Sequence, residues 1–351
     1  MKFVLHRRKI IMDIVKMVLR ESLSCETILR KAPNGDLIII SQCGGTNEPQ
    51  KENREYLIRS TDNGETWSKP VSIYEDGRAV YITEVFVYQD EIWAFAGSHD
   101  GDFLGWDAFV LKSFDNGYTW QKYPPIWQSS AFYFVRGGIN YNGNIIFPVQ
   151  FYEVSDSEQA RLKSEGQLIL KAEIDYAKNG VLISSDGGKS FHLSKNTADF
   201  PMCIDGKRLW KWTEPTLAVL SSGVIENYIR ADGQGFLYKS VSKDRGETWS
   251  EFVRTDIPNP NNKPKIINLP NGKHALINTP DSRIGFKFRH PLCVWISSDD
   301  MKTFAFKKQI VDFPGWLSYP DGIYDLSDGR IKFAFELNRH DVYFCDISID
   351  E

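Results

Sequence analysis

Ser60-Thr61-Asp62-Asn63-Gly64-Glu65-Thr66-Trp67 is an eight-residue stretch that returns four more times along the chain. The later copies are Ser113–Trp120 (SFDNGYTW), Ser184–Phe191 (SSDGGKSF), Ser242–Trp249 (SKDRGETW) and Ser297–Phe304 (SSDDMKTF). They share Ser-x-Asp-x-Gly-x-Thr/Ser-aromatic, and each part has a physical task in a tight hairpin. The Asp accepts hydrogen bonds from its own turn, the Gly supplies a positive φ, and the aromatic plugs into the core beneath. The fifth copy is degraded, with Met301 where Gly belongs. The copies stand 53, 71, 58 and 55 residues apart, which is the length of a four-stranded propeller blade plus variable loops.

If each copy closes the outer hairpin of a blade, an inner hairpin precedes it. Six such hairpins are legible: 27–40 around Asn34-Gly35-Asp36, 85–96 around Gln89-Asp90-Glu91, and 137–149 around Asn142-Gly143. The others are 215–229 around Ser221-Ser222-Gly223, 265–278 around Pro270-Asn271-Gly272 and 322–336 around Ser327-Asp328-Gly329. Polar turns between alternating apolar runs are a strong hairpin signal. The expected fold is all-β, a six-bladed β-propeller filling residues 1–351 as one domain. After Glu336 only one strand remains (341–349), so the N-terminal segment, 3–20 and chiefly 7–18, is expected to close the last blade and remove its free edge. A short helix is the alternative there, because Ile10, Ile14, Met17 and Val18 recur at helical spacing. Residues 152–177, polar and charged, read as an excursion on the rim.

The 351 residues carry 42 basic and 46 acidic side chains, a net charge of −4. That balance gives no electrostatic footprint for nucleic acid or an anionic membrane, and no apolar run approaches membrane-spanning length. Five scattered cysteines without metal-ligand spacing suggest reduced, mostly buried thiols. With no secretory pattern in Met1–Arg8, cytoplasm is the default location. The six histidines show no spacing for a metal, and no cofactor is expected. Oligomeric state stays open.

Superimposing the repeats by counting back from each inner turn aligns Glu26, Glu84, Arg136, Glu214, Lys263 and Pro320, with Tyr319 beside the last. Strand starts converge on a propeller's axis at one face. Buried charges are rare unless paired or used, so five charged residues in six equivalent slots describe a polar funnel. The loops of the same face add Glu48, Glu52 and Arg54, then His99, Asp100, Asp102 and Asp107, then Arg230, Asp232, Arg283, Arg289, His290, Arg339 and His340. Of these, Arg230 and Arg289 stand apart because they end or begin strands at the rim.

These residues resemble the sialidase superfamily, whose members repeat the same turn, the Asp box, around a six-bladed propeller. Members hold a substrate carboxylate with three arginines and use a Tyr nucleophile, a Glu that activates it, and an Asp acid/base. By resemblance, Glu214 in Glu-Pro-Thr-Leu is the activating Glu and Tyr319 in Ser-Tyr-Pro-Asp the nucleophile. Arg230 in Asn-Tyr-Ile-Arg and Arg289, eight residues before Ser297, are similar to the second and third arginines. The first arginine, in an Arg-Ile-Pro motif, is missing: Ser24-Cys25-Glu26 stands there. In the loop of the acid/base Asp this chain offers only Glu48 and Glu52, of which Glu52 is taken as the candidate. Arg136, Glu84, Glu26 and His290 are expected to line the substrate site.

The implied chemistry is retaining hydrolysis of a glycoside whose terminal sugar, free or on an oligosaccharide, bears a carboxylate. A phenol needs an adjacent base to react near neutrality, and a guanidinium meets a carboxylate with two parallel hydrogen bonds. A polysaccharide lyase or other glycosidase on uronic-acid glycans is one alternative, with His290 or Tyr319 as base. A non-catalytic glycan-binding propeller is another. Each nominated side chain also has a plain structural reading, as a packed tyrosine or an inter-blade ion pair such as Glu214 with Lys263.

Overall fold

The computed structural model describes residues 13–349. Six antiparallel sheets surround one axis. Blade 1 consists of Ser24–Lys31, Leu37–Cys43, Arg54–Ser60 and Val71–Ser72, and blade 2 of Ala79–Tyr88, Glu91–His99, Asp107–Ser113 and Gln121–Tyr123. In blade 3 the inner strand is split into Phe132–Val135 and Ile139–Tyr141; both halves pair with Asn144–Tyr152, which pairs with Tyr176–Ser184. Blades 4 and 5 begin at Pro215–Val219 and Lys265–Asn268. Blade 6 joins Leu317–Asp325, Arg330–Leu337 and Asp341–Ile347 to Ile14–Arg20, so strands from near both ends of the chain share one sheet. There Arg20 holds Asp341 with two hydrogen bonds of 2.6 and 2.8 Å. Residues 3–12 of the segment expected to close this blade lie outside the described residues.

The five repeated turns fold as their composition dictates. In the first, Ser60 Oγ donates to Asp62 and accepts from the Gly64 amide, while Asp62 accepts from the amide and hydroxyl of Thr66. Those bonds, the Thr66 hydroxyl's first, hold the Asp62 carboxyl down at about 2. Asn63 and Gly64 both have positive φ (59° and 95°), the twist that suits a hairpin. Met301 adopts φ +62° and its amide still donates to Ser297 Oγ at 3.0 Å, so the fifth turn keeps its form without glycine.

Each turn joins the third to the fourth strand of its blade. It therefore lies at the end of the axis opposite the inner-strand starts, where Glu214 and Tyr319 stand. The 152–177 excursion leaves the second strand of blade 3 on the latter face. It contains a helix, Asp156–Ser164, capped by Ser155, and buries Leu162 and Ile169 against Phe103, Phe132 and Tyr152. Four cysteines are buried and Cys203 is exposed, all as free thiols. No helix among the described residues is long and apolar enough to cross a membrane.

Candidate active site

The inner strands of blades 1, 2, 3 and 6 are interrupted near their starts. Pairing in blade 1 skips from Cys25 to Ile28, and in blade 6 from Ser318 to Asp321. The skipped residues include Glu26 and Tyr319, which adopt positive φ of 54° and 52°. Non-glycine residues in that region are strained, and a surrounding structure must hold them there. In blade 3 the break falls at 136–138, placing Arg136 at the same level. These interruptions turn side chains that a regular strand would point between sheets toward the common axis.

Tyr319 lies at the centre of the resulting pit. Its hydroxyl donates to Glu214 Oε1 at 3.1 Å, and Arg230 Nη1 donates to the phenol oxygen at 3.1 Å and to the same Glu214 oxygen at 3.1 Å. Burial alone would raise the Glu214 carboxyl, but Arg230, Arg136 and Lys263 overcome it and hold the group below its ordinary value. Burial and the Glu214 charge push the Tyr319 phenol well above its own. A neutral phenol on an ionised carboxylate follows. Lys263 forms no ion pair with Glu214; its ammonium lies over the Tyr319 ring, 5.5 Å from the centroid.

The two arginines of this half differ. Arg230 also grips Asp232 through Nε and Nη2, at 2.5 and 3.1 Å, so most of its donors are committed within the protein. Arg289 donates to Ser318 Oγ at 2.9 Å and to the Asn261 carbonyl, but meets no carboxylate, and its buried Nε has no partner among the described residues. Burial and the neighbouring Arg230 charge lower Arg289 to about 10. Of these two neighbouring guanidiniums, one is neutralised by carboxylates and the other is not.

Across the pit, Arg136 Nη1 donates to Glu26 at 3.3 Å and to the Thr83 carbonyl at 3.2 Å. Where the resemblance asks for the first arginine, Cys25 and Glu26 are present, and the Arg339 guanidinium reaches the same place from blade 6. It contacts Glu48 and lies 3.3 Å from Cys25 Sγ. Glu336 of blade 6 accepts from the Glu26 amide at 2.8 Å. Its carboxyl is pushed up to about 8, by burial first and by Glu26 as well, against the opposing Arg339 and Arg289.

Three residues expected in the site stand elsewhere. Glu52 is exposed in the turn preceding Arg54. Asn53 folds that loop back by bonding Gly44, Asn47 and Gln50, and it is Glu48 that turns inward. Burial raises the Glu48 carboxyl above its ordinary value, with Arg339 opposing. Glu84 is already paired in register opposite Phe95, because the bulge of blade 2 falls at Thr83. Its carboxylate therefore faces one layer lower and binds Arg30. His290 pairs with Asp312 at 3.4 Å rather than with any group of the pit. Glu336 is the member that reading the sequence does not nominate; Asp232 and Arg339 stand there among the loop charges of this face without a role. Asp232, two residues beyond Arg230 on the same edge, had the plainest signal.

The repeated turn occurs in known families. The BNR repeat-like domain family matches residues 83–332, and the BNR/Asp-box repeat matches residues 58–69. The chain belongs to this family, within the sialidase superfamily. The BNR propeller is 24% identical over 229 residues to a sialidase of Bacteroides fragilis, a match covering 56% of this chain and 37% of that one. It thus spans little more than a third of that relative's length. A Hadza microbial sialidase superimposes with a TM-score of 0.72 at 20% identity, over 94% of this chain and 66% of that one. A Dyadobacter fermentans protein of unknown function superimposes at 0.67 and 19% identity, over 95% and 98%. At these identities the superpositions speak for the fold. Among the described residues of the BNR propeller no cluster of three or more His, Cys, Asp or Glu is arranged for a metal ion.

Proposed function

We propose that this propeller is a retaining glycoside hydrolase that removes a terminal carboxylate-bearing sugar. The observation that carries the reading is the triangle of Tyr319 hydroxyl, Glu214 Oε1 and Arg230 Nη1, with every side 3.1 Å. A phenol attacks only as its proton leaves, and Glu214 is an ionised acceptor already hydrogen-bonded to that proton. As the Tyr319 oxygen bonds the anomeric carbon, the bond to the leaving oxygen breaks. Glu48, a buried carboxyl with a raised pKa, protonates that oxygen. In the second half Glu48 accepts a proton from water, water attacks the anomeric carbon, and Glu214 returns its proton to the departing phenol. Arg230 stabilises the negative charge that passes through the phenol oxygen. A tyrosine in place of a carboxylate nucleophile suits an anionic sugar, because it carries no charge to repel it. Arg289, without a carboxylate of its own, is the anchor for that sugar's acid group.

The name of the Bacteroides relative makes sialosides the first substrates to try, with uronosides second. Release of a chromogenic leaving group by the wild-type protein is the expected result. Tyr319→Phe should then lose on the order of 10⁴-fold or more in kcat, the scale seen when a nucleophile acting with its base is removed. Full activity in Tyr319→Phe excludes the mechanism. An unsaturated, ultraviolet-absorbing product from a uronic-acid polymer indicates a lyase. Binding of the acid with no turnover leaves a glycan-binding propeller.

A further inference from the structure

Five cations surround the pit, and four of them can be assigned. Arg136 has Glu26, Arg230 has Glu214 and Asp232, and Arg339 has Glu48. Arg289 is the unneutralised anchor. Lys263 is the fifth; it is only 5% exposed, yet no hydrogen bond or ion pair reaches its ammonium among the described residues. The carboxylates whose charge it feels, Asp321, Glu26 and Glu214, are already paired with Arg30 and Lys265, with Arg136 and with Arg230. A cation on so buried a residue, without a partner, is costly, and a specific local structure places it there.

The placing device is the short turn 259–262. Asn259 Oδ1 accepts from the Asn262 amide and its Nδ2 donates to the Asn262 carbonyl, both at 2.8 Å. Asn262 then donates to Thr279 Oγ1 at 3.0 Å and to the Leu317 carbonyl at 2.9 Å, and accepts from the Tyr319 amide at 3.4 Å. The Asn261 carbonyl, meanwhile, accepts from Arg289. One turn therefore fixes the nucleophile, the anchor arginine and Lys263 relative to each other. Lys263 and Arg289 lie almost equally far from the Tyr319 ring centroid, Lys263 Nζ at 5.5 Å and Arg289 Cζ at 5.7 Å.

We propose that Lys263 and Arg289 together hold the substrate carboxylate beside Tyr319, making Lys263 a substrate-binding and specificity residue. The identity of the ligand as an acidic sugar rests on the hydrolase reading; the pairing of the two cations does not. Arg230, committed to Asp232 and Glu214, serves the nucleophile instead.

Calorimetric binding of N-acetylneuraminate and glucuronate, each against its methyl ester, tests this on the full chain. At least one acid should bind the wild-type protein tenfold or more tightly than its ester. In Lys263→Met that preference should shrink by about tenfold, and Lys263→Arg should restore part of it. The melting temperature of Lys263→Met should stay level or rise, since removing an unpaired buried charge relieves the fold. A Met variant with the full acid preference, or a wild-type protein that never prefers acid to ester, overturns the assignment. So does a fall in melting temperature with unchanged preference, which would make Lys263 structural. The two readings separate cleanly: acid preference without turnover removes the hydrolase and keeps Lys263. Turnover lost in Tyr319→Phe, with unchanged preference in Lys263→Met, does the reverse.

Discussion

Two layers of buried charge lie one above the other on the propeller axis, the lower built by inner strands and the upper by their starts together with neighbouring loops. In the lower one Arg30 binds Glu84 and Asp321, and Lys265 binds Asp321 at 2.8 Å. Each of these four charges meets an opposite one, and beyond them a 980 Å³ cavity opens toward the end of the box turns. In the upper layer Lys263 and Arg289 have no carboxylate, and Glu214 Oε2 and the Nε atoms of Arg136, Arg289 and Arg339 have no hydrogen-bond partner among the described residues. Buried ions missing a partner are strongly unfavourable, whereas complete pairs roughly break even. Under the proposed function this contrast separates the layers: the satisfied network is structural, and the unsatisfied one receives the substrate.

Breaking the lower layer should produce the largest change in stability. Glu84→Gln leaves Arg30 with half its neutralisation, and removing one member of a buried ion pair costs about 3–5 kcal/mol. Denaturant unfolding should show that loss, while the folded variant keeps its substrate affinity. An unchanged midpoint together with weakened binding would mean that the two layers are one site.

The converse substitution belongs to the upper layer. Arg289→Met should weaken binding of an acidic sugar by roughly 10–150-fold, corresponding to about 1.5–3 kcal/mol for a charge-assisted interaction. Its unfolding midpoint should not fall, because a buried and repelled guanidinium has been removed. A large loss of stability in Arg289→Met would mean that Ser318 and Asn261 were the reason for this arginine.

The contrast between layers also explains what could be read before the fold was seen. The box turns are local: Ser60, Asp62, Gly64 and Thr66 satisfy one another within a few residues, so composition alone announces them. Repetition then supplies the blades and the convergence of Glu26, Arg136, Glu214 and Tyr319 on one face. What fails is anything decided by a single-residue displacement or by contact across blades. Glu84 was expected in the pit, yet a bulge one residue earlier moves it down a layer. Glu48 and Glu52 are equivalent in composition, and only the fold-back around Asn53 sends one inward and the other out. Glu336 and Arg339 come from blade 6 to meet Glu26 and Glu48 of blade 1, a pairing that no local pattern encodes.

A smaller effect separates the layers by pH. Glu336 carries a carboxyl raised to about 8, so the folded protein binds its proton more tightly than the unfolded chain does. The stability it contributes is fully present below the ordinary carboxylate value near 4.5 and is lost as pH rises through 8. From pH 7 to pH 9 the loss from this group is about 1.4 kcal/mol, one pKa unit's worth. Urea unfolding of wild type and Glu336→Gln at both values should show the wild type losing that much more than the variant. An equal pH response in the two proteins would remove Glu336 as the responsible group.

The smallest effect returns to the box turns and asks whether the fifth is merely a worn copy. A Cβ on Gly64 would lie 2.3 Å from the Phe344 ring, and one on Gly188 2.3 Å from Trp93, so in those turns the glycine also makes room for a neighbour. At Met301 the relation is inverted: the side chain itself is buried, packed in a cluster with Tyr228, Leu237, Ile266 and Leu276. Backbone strain and side-chain packing pull the outcome of Met301→Gly in opposite directions. Relief of a left-handed conformation is worth about 1–2 kcal/mol, against about 1.5–3 kcal/mol for a buried methionine side chain and a further 0.5–1 kcal/mol for the freedom glycine gains when unfolded. The sum is a net destabilisation of about 1–2 kcal/mol, measurable by denaturant unfolding. The consensus residue should therefore make the turn worse, because packing outweighs backbone strain there. A variant more stable than wild type would mean that the strain at φ +62° outweighs the packing, and that the fifth turn tolerates Met301 rather than using it.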